Sequence, residues 1–112
     1  MKSSDALSAL GALAHASRLD VFRLLVRRGP DGYTPGEIAQ KLDLPAPTLS
    51  FHLRELRAGH LVCVERKGRN LHYSADFSRM NALLAFLTDH CCSMGNTGCE
   101  VACPPVTVRK RA

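Results

Sequence analysis

The segment between residues 34 and 74 constrains the fold more than any other part of the chain, because two short helices and a hairpin follow one another there without a linker. Thr34-Pro35-Gly36-Glu37 places a hydroxyl at a helix N-cap, a proline at the first helical position and a carboxylate three residues after the cap. We predict that this helix runs to Leu42, before the tight break Asp43-Leu44-Pro45. A second helix is predicted from Ala46 to Ala58.

The second of these helices is amphipathic and leads directly into two strands. Gly59 ends it. Three leucines share one of its faces: Leu49, Leu53 and Leu56. Two runs of alternating polarity, residues 61–66 and 69–74, then flank Lys67-Gly68, which is typical of a β-hairpin.

Three further helices surround this segment. Residues 4–14 carry small and apolar side chains at helical spacing. Ser17-Arg18-Leu19-Asp20 resembles a capping box that opens a helix ending at Arg28, before Gly29-Pro30. A last helix is predicted from Ser78 to Asp89. The expected fold is mainly α with a β-hairpin, in the order helix, helix, helix, helix, strand, strand, helix, which is the layout of a winged helix-turn-helix.

The chain of 112 residues has the size of one domain. We expect that domain to span residues 1–90, followed by a flexible, cysteine-rich tail over residues 91–112. No apolar run approaches the length that crosses a bilayer, and the N-terminus lacks the layout of a signal peptide. We therefore expect a cytoplasmic protein with no membrane partner.

A net charge of +5 is consistent with a polyanionic partner such as nucleic acid. With the leucine face turned inward, the helix over residues 46–58 leaves a mixed set of side chains free to contact DNA: Pro47, Thr48, Ser50, Phe51 and Arg54. The alternative is that these side chains merely face solvent. An exposed Phe51 on an otherwise polar face favours the contact.

The hairpin tip carries three basic residues that could neutralise phosphates: Arg66, Lys67 and Arg69. Such charges also protect edge strands from aggregation, and only the helix-turn-helix beside them favours DNA. His52 and His72 are interpreted from the residues alone as packing or capping groups.

Four cysteines, Cys91, Cys92, Cys99 and Cys103, lie close together near the C-terminus, and Cys63 stands apart. In a reducing cytosol such a cluster suggests metal binding or redox chemistry rather than a disulfide framework. Cys63 falls within a strand pattern, where a cysteine is most often a small buried apolar residue.

Three stretches together resemble the ArsR/SmtB family of metal-responsive repressors: LGALAHASRLDVFRLL, GEIAQKLDLPAPTLSFHLRELRAGHLV and ERKGRNLHYS. The resemblance implies a homodimer joined through the first and last helices, which reads a palindromic operator in double-stranded DNA. Thr48, Ser50 and His52 match the family's recognition helix, so His52 joins the DNA-binding set. Ala46 and Pro47 depart from it, so the family's base contacts do not carry over to them.

The sensing sites of the family match only in part. The stretch from Tyr33 to Ile38 lacks the cysteine pair of several arsenic sensors, and the last helix offers only Asp89 and His90 as zinc ligands. What remains looks like the C-terminal three-cysteine site of a subset of arsenic-responsive members, with Cys91, Cys92 and Cys99 as ligands. Trivalent arsenic and antimony need only three thiolates, whereas structural zinc usually takes four ligands. Cys103 could replace Cys99 or complete a zinc or cadmium site.

We therefore expect a repressor that leaves its operator when As(III) or Sb(III) binds, with no organic cofactor and no catalytic activity. The alternative in the same fold is a repressor that responds to thiol oxidation, by joining Cys91 or Cys92 to Cys99 or Cys103, or to cadmium or zinc. A tail with incidental thiols and a metal-sequestering or protein-interaction module are further alternatives. An enzyme is disfavoured because no nucleophile and base stand at a recognisable motif.

Overall fold

The computed structural model describes residues 1–91 and residue 94. It contains five helices and one antiparallel hairpin in the expected order, so the mainly α fold with a wing is confirmed. The elements are α1 (Ser3–Leu13), α2 (Ala16–Arg28), α3 (Pro35–Leu42), α4 (Ala46–Ala58), β1 (Val62–Lys67), β2 (Asn70–Ala75) and α5 (Phe77–Leu87). None of the helices in this described part is long and apolar enough to cross a membrane.

The core lies where α1, α2, α3 and α4 meet. Its largest fully buried side chains come from α2, α3, α4 and the residue before β1: Val21, Leu25, Ile38, Leu49, Leu56 and Leu61. The helix α1 contributes only small residues to it, namely Ala6, Ala9 and Ala12. These small side chains let α1 approach α4 closely. The helix α2 also packs directly on α4.

The cap of α3 forms as the sequence predicts. The Thr34 hydroxyl oxygen accepts the N–H of Glu37 at 3.2 Å, and the N–H of Thr34 donates to the Glu37 carboxylate at 2.9 Å. This backbone hydrogen bond lowers the pKa of Glu37. The reciprocal pair satisfies donors that would otherwise be unpaired at the helix N-terminus, which fixes where the helix-turn-helix begins.

The predicted cap of α2 is wrong. The helix begins at Ala16, and the N-cap is His15, whose extended backbone lets Nδ1 accept the N–H of Ser17 at 3.1 Å. A ring nitrogen thus serves as the acceptor that a hydroxyl was expected to supply. The last helix, α5, is also shorter than predicted: it is capped by Asp76 and ends at Leu87, two residues before Asp89.

The wing, defined as the β1–β2 hairpin, is shifted by one residue from the prediction. Lys67 pairs with Asn70, so Gly68-Arg69 forms the two-residue turn, with Gly68 at φ +64°. Glycine adopts this left-handed conformation at little cost. The turn therefore begins at Gly68 and not at Lys67 as predicted.

A short bridge ties the wing to the helix-turn-helix. Tyr33, in the loop between α2 and α3, exchanges two backbone hydrogen bonds with Tyr73 of β2, at 2.9 and 2.8 Å. Gly32, at φ +70°, lies so close to the Tyr73 carbonyl that a Cβ would overlap it. Glycine is therefore required here both by conformation and by space.

We expect Thr34→Ala to destabilise the protein by about 1 kcal/mol, because the substitution removes the hydroxyl that caps α3. Urea unfolding followed by circular dichroism measures the change. Thr34→Ser keeps the hydroxyl and is the matched control, expected within a few tenths of a kcal/mol of the wild type. Equal stability of Thr34→Ala and Thr34→Ser would contradict a stabilising role for the cap.

Candidate nucleic-acid interface

The inward face of α4 fixes which side chains point outward. Leu49, Leu53 and Leu56 are almost completely buried, as predicted. The helix geometry then turns the opposite face to solvent. That face carries five of the predicted contact residues, all exposed: Pro47, Thr48, Ser50, Phe51 and Arg54.

The first turn of α4 suits an anion. Its N-cap is Pro45, which supplies no side-chain acceptor, and the turn contains no acidic residue. The positive end of the helix dipole is therefore not compensated locally. Backbone N–H groups at such an end bind phosphate readily.

Phe51 is the centre of the exposed face, with 45% of its surface accessible. Two guanidinium groups lie beside its ring: that of Arg18 from α2 at 5.5 Å from the centroid, and that of Arg54 at 5.9 Å. Cations over an aromatic face are held by its quadrupole. The result is an apolar surface flanked by two positive charges, which suits the base edges and phosphates of DNA. Sequence reasoning missed Arg18, which lies far from Phe51 along the chain.

His52 does not lie on this face. Its side chain is only 5% exposed, its Nδ1 accepts the Nε–H of Arg18 at 3.4 Å, and its ring centroid is 4.7 Å from that of His15. Burial, followed by the charges of His15 and Arg18, lowers the pKa of His52. The structure therefore corrects the placement of His52 in the DNA-facing set and agrees with its interpretation as a packing group. His72 is half-buried on β2.

The wing presents its basic residues to solvent. Arg66, Lys67 and Arg69 are all exposed at or beside the turn. Lys67 donates to the backbone carbonyl of Asp31 at 3.4 Å. Neither ion pair found in the described part of the chain involves these residues, so no carboxylate neutralises them there.

A shallow groove of about 470 Å³ joins α4 to the wing. It is lined by Ser50, Arg54 and Arg57 of α4 and by Tyr73 of β2. Sequence reasoning missed Arg57 and Tyr73 as members of this surface. The spacing of residues 50, 54 and 57 places them on one helix face and could have revealed Arg57, but nothing in the sequence pattern brings Tyr73 beside them.

Exposed apolar side chains also lie on α1 and α5. Leu7 and Leu10 of α1 and Leu84 and Leu87 of α5 are between 38% and 68% exposed. Leu84 lines an open concavity of about 430 Å³ between α2 and α5. Its lining is apolar except for Arg23 and Arg27. Large apolar surfaces of this kind mark sites of association.

The candidate thiol ligands fall mostly beyond the described residues. Cys91 is exposed four residues after the last residue of α5. Cys92, Cys99 and Cys103 lie outside the described residues, as does the predicted flexible tail apart from Cys91 and Met94. Within residues 1–91, no three histidine, cysteine or acidic side chains are grouped to hold a metal ion.

Cys63 lies in a strand as predicted, but the expectation that it is buried is wrong. Its side chain is exposed, because none of the described residues forms a second layer over the outer face of this two-stranded hairpin. Partial desolvation and the neighbouring Asp76 carboxylate raise the pKa of the thiol. A thiol with a raised pKa forms less of the reactive thiolate.

Comparison with known proteins agrees with this architecture. A family model described as a helix-turn-helix domain matches residues 13–65. NolR from Sinorhizobium fredii is 32% identical, with a match that covers 78% of this chain and 84% of that chain at a TM-score of 0.61. No curated protein sequence gives a significant match.

Two more distant structures share the fold. An ArsR-like transcriptional regulator from Rhodococcus sp. RHA1 is 24% identical, over 75% of this chain and 76% of that chain, at a TM-score of 0.68. A homodimeric winged helix-turn-helix DNA-binding domain from Mycobacterium bovis, a possible ArsR-family transcriptional regulator, is 24% identical, over 85% of this chain and 88% of that chain, at a TM-score of 0.61. The chain therefore belongs to the same family as NolR, and it shares the winged helix-turn-helix fold of the two ArsR-type structures.

Proposed function

We propose that the chain is a homodimeric repressor that binds a palindromic operator and releases it when trivalent arsenic or antimony binds Cys91, Cys92 and Cys99. The observation that carries the DNA-binding part is the continuous surface formed by the outer face of α4, the groove beside it and the basic wing. In this arrangement α4 enters the major groove and the wing lies along the phosphate backbone.

The proposed DNA contacts fall into two chemical classes. Arg66, Lys67 and Arg69 on the wing supply sequence-independent affinity through phosphate neutralisation. On α4, Ser50 and Thr48 can hydrogen-bond to base edges or phosphates, and Phe51 can contact a thymine methyl. Arg54, at the edge of the groove, can reach a phosphate or a guanine.

Dimerisation follows from the apolar surface of α1 and α5. A protomer that leaves Leu7, Leu84 and Leu87 exposed is expected to bury them against a second copy. The homodimeric state of the Mycobacterium bovis domain supports this arrangement. A two-fold axis then places two copies of α4 on half-sites about one helical turn apart, roughly 10 base pairs.

The inducer part rests on the chemistry of the thiols and on their place in the chain. Cys91 follows α5, the helix that carries Leu84 and Leu87 of the proposed interface. Three thiolates satisfy As(III) or Sb(III), and ligation there would change how α5 meets its partner. Linkage then requires DNA to weaken inducer binding by the same factor that the inducer weakens DNA binding. The similar structures from Rhodococcus and Mycobacterium bovis are named as transcriptional regulators, the second a possible one, which supports the expectation that the protein is not an enzyme.

We expect the double substitution Lys67→Ala and Arg69→Ala to weaken binding to palindromic and scrambled DNA alike. Each lost phosphate contact should reduce the slope of log affinity against log salt by about 1. Fluorescence anisotropy over a salt series measures both quantities. Lys2→Ala removes an exposed basic residue outside the α4 and wing surface, and this control should retain the wild-type slope. A wing variant with an unchanged slope would contradict the phosphate contacts.

We expect Leu84→Asp to convert the dimer to monomers, because the substitution places a charge on an apolar surface that a second copy covers. Sedimentation equilibrium measures the mass, and circular dichroism checks that the protomer stays folded. Leu71→Asp is the matched control, since Leu71 is also exposed but lies on the wing. A dimer that survives Leu84→Asp would place the interface elsewhere.

We expect arsenite to release palindromic DNA from the protein's own promoter in the wild type and not in Cys92→Ser. Anisotropy titrations should show a fall in affinity of about 5- to 150-fold, the range typical of allosteric coupling. Cys63→Ser, which removes an exposed thiol on β1, should respond like the wild type. Release by peroxide that a reductant reverses, without any response to arsenite, would identify a redox repressor instead. Release by zinc or cadmium alone would identify a four-ligand site.

A further inference from the structure

A polar cluster joins α2 to α4 directly behind the exposed face of α4. It contains His15 and Arg18 from α2 and its N-cap, and His52 and Phe51 from α4. Arg18 occupies the centre: its Nε donates to Nδ1 of His52 at 3.4 Å, and its guanidinium carbon lies 5.5 Å from the centroid of the Phe51 ring. One side chain of α2 thus touches both a buried and an exposed residue of α4.

Both histidines use Nδ1 as a hydrogen-bond acceptor. His15 accepts the backbone N–H of Ser17 and so caps α2, while His52 accepts from Arg18. An acceptor nitrogen carries no proton, and a histidine that gains its second proton has two donors and no acceptor. Each of these hydrogen bonds therefore requires a neutral ring.

The charges around His52 all oppose its protonation. From α2 it is faced by His15 and Arg18, which are positive when charged. From α1, α3 and β1, which also pack against α4, no charged group of the described part acts on it. Burial adds to these effects, and together they lower the pKa of His52. The hydrogen bond from Arg18 to His52 is therefore present at neutral pH and is lost as the pH falls through the lowered pKa of His52.

We infer that Arg18 is a positioning residue for DNA recognition, that it holds Phe51 and α4 in place only while His52 is neutral, and that protonation of His52 weakens operator binding. The inference rests on the DNA-binding function proposed above. Protonated His52 would repel Arg18 and lose the hydrogen bond between them.

The test compares operator binding of the full-length chain between about pH 7.5 and about pH 5.5 at constant ionic strength. Anisotropy gives the affinity for the palindromic promoter DNA and for a scrambled duplex of equal length. The ratio of the two is the readout, because added positive charge strengthens binding to any duplex. We expect the ratio in the wild type to fall about twofold to fivefold by about pH 5.5, because a histidine whose pKa is lower in the bound than in the free protein reaches its full effect only below both pKa values.

The variant His52→Asn should make this ratio independent of pH. Asparagine does not titrate, and its side-chain oxygen can accept near the position of Nδ1. His60→Asn is the matched control: His60 is exposed, lies outside the cluster and has φ +62°, a conformation that asparagine tolerates. This control should retain the wild-type pH profile. Circular dichroism confirms that each variant is folded.

Arg18→Lys tests the positioning role at neutral pH. Lysine keeps the charge but lacks the Nε–H and the planar group that lies beside Phe51. We expect the preference for the palindrome to fall several-fold while binding to scrambled DNA is retained, because only binding to scrambled DNA depends on charge alone.

An NMR pH series of the wild type tests the environment of His52 directly. The His52 ring resonances should titrate below the ordinary histidine range.

Four outcomes would overturn the inference alone. A wild-type ratio that does not change with pH is one, and a pH-dependent ratio in His52→Asn is another. The third is an Arg18→Lys variant that prefers the palindrome as strongly as the wild type, which would remove the positioning role. The fourth is a His52 ring that stays neutral down to about pH 5.5, which would remove the switch. Absence of any preference for the palindrome at about pH 7.5 would overturn the proposed function itself, and the inference with it.

Discussion

Burial of the leucine face of α4 is the interaction on which the rest of this structure depends. Leu49, Leu53 and Leu56 are each at most 3% exposed, and they pack in the core with Leu25 of α2 and Ile38 of α3. Apolar burial of this kind is the main favourable term in folding. Because a helix has a fixed period, seating these three side chains also determines the direction of the opposite face. The packing that stabilises the domain thus selects the surface offered to DNA.

The wing depends on the same core through different contacts. A hairpin of two strands is marginal by itself. Here Val62 and Ala75, at its base, are buried, and Tyr73 is bonded to Tyr33 of the helix-turn-helix. The base is therefore held firmly while the tip projects into solvent with its basic residues. Rigid attachment of the wing keeps its distance from α4 constant, as binding to a helical duplex requires.

The proposed function would connect several features of the protomer. Within the described residues, leucines of α1 and α5 are exposed, and the proposed two-fold interface would cover them. Cys91 follows α5, so an inducer bound at the thiols would act on a helix of that proposed interface. The cluster of His15, Arg18 and His52 contacts α4 through α2. In this proposal DNA binding would be linked to two separate parts of the domain.

Most of the fold could be predicted from local signals. The Thr34 cap, the leucine period of α4 and the breaks before and after that helix each depend on residues within a few positions of one another. The boundaries of α3 and α4 were predicted correctly for this reason. Errors arose where two local solutions competed: His15 caps α2 in place of Ser17, and the turn centres on Gly68-Arg69.

For the candidate DNA-binding surface, too, local signals predicted some features and could not predict others. The sequence alone determined which face of α4 is polar, that the wing is basic and that the cysteines are grouped near the C-terminus. Only the tertiary structure decided that Arg18 lies beside Phe51, that Tyr73 joins the groove, that His52 is buried and that Cys63 is exposed. The physical reason is that periodicity assigns a side chain to a face of its own element, whereas its neighbours and its burial depend on which other elements pack against that face.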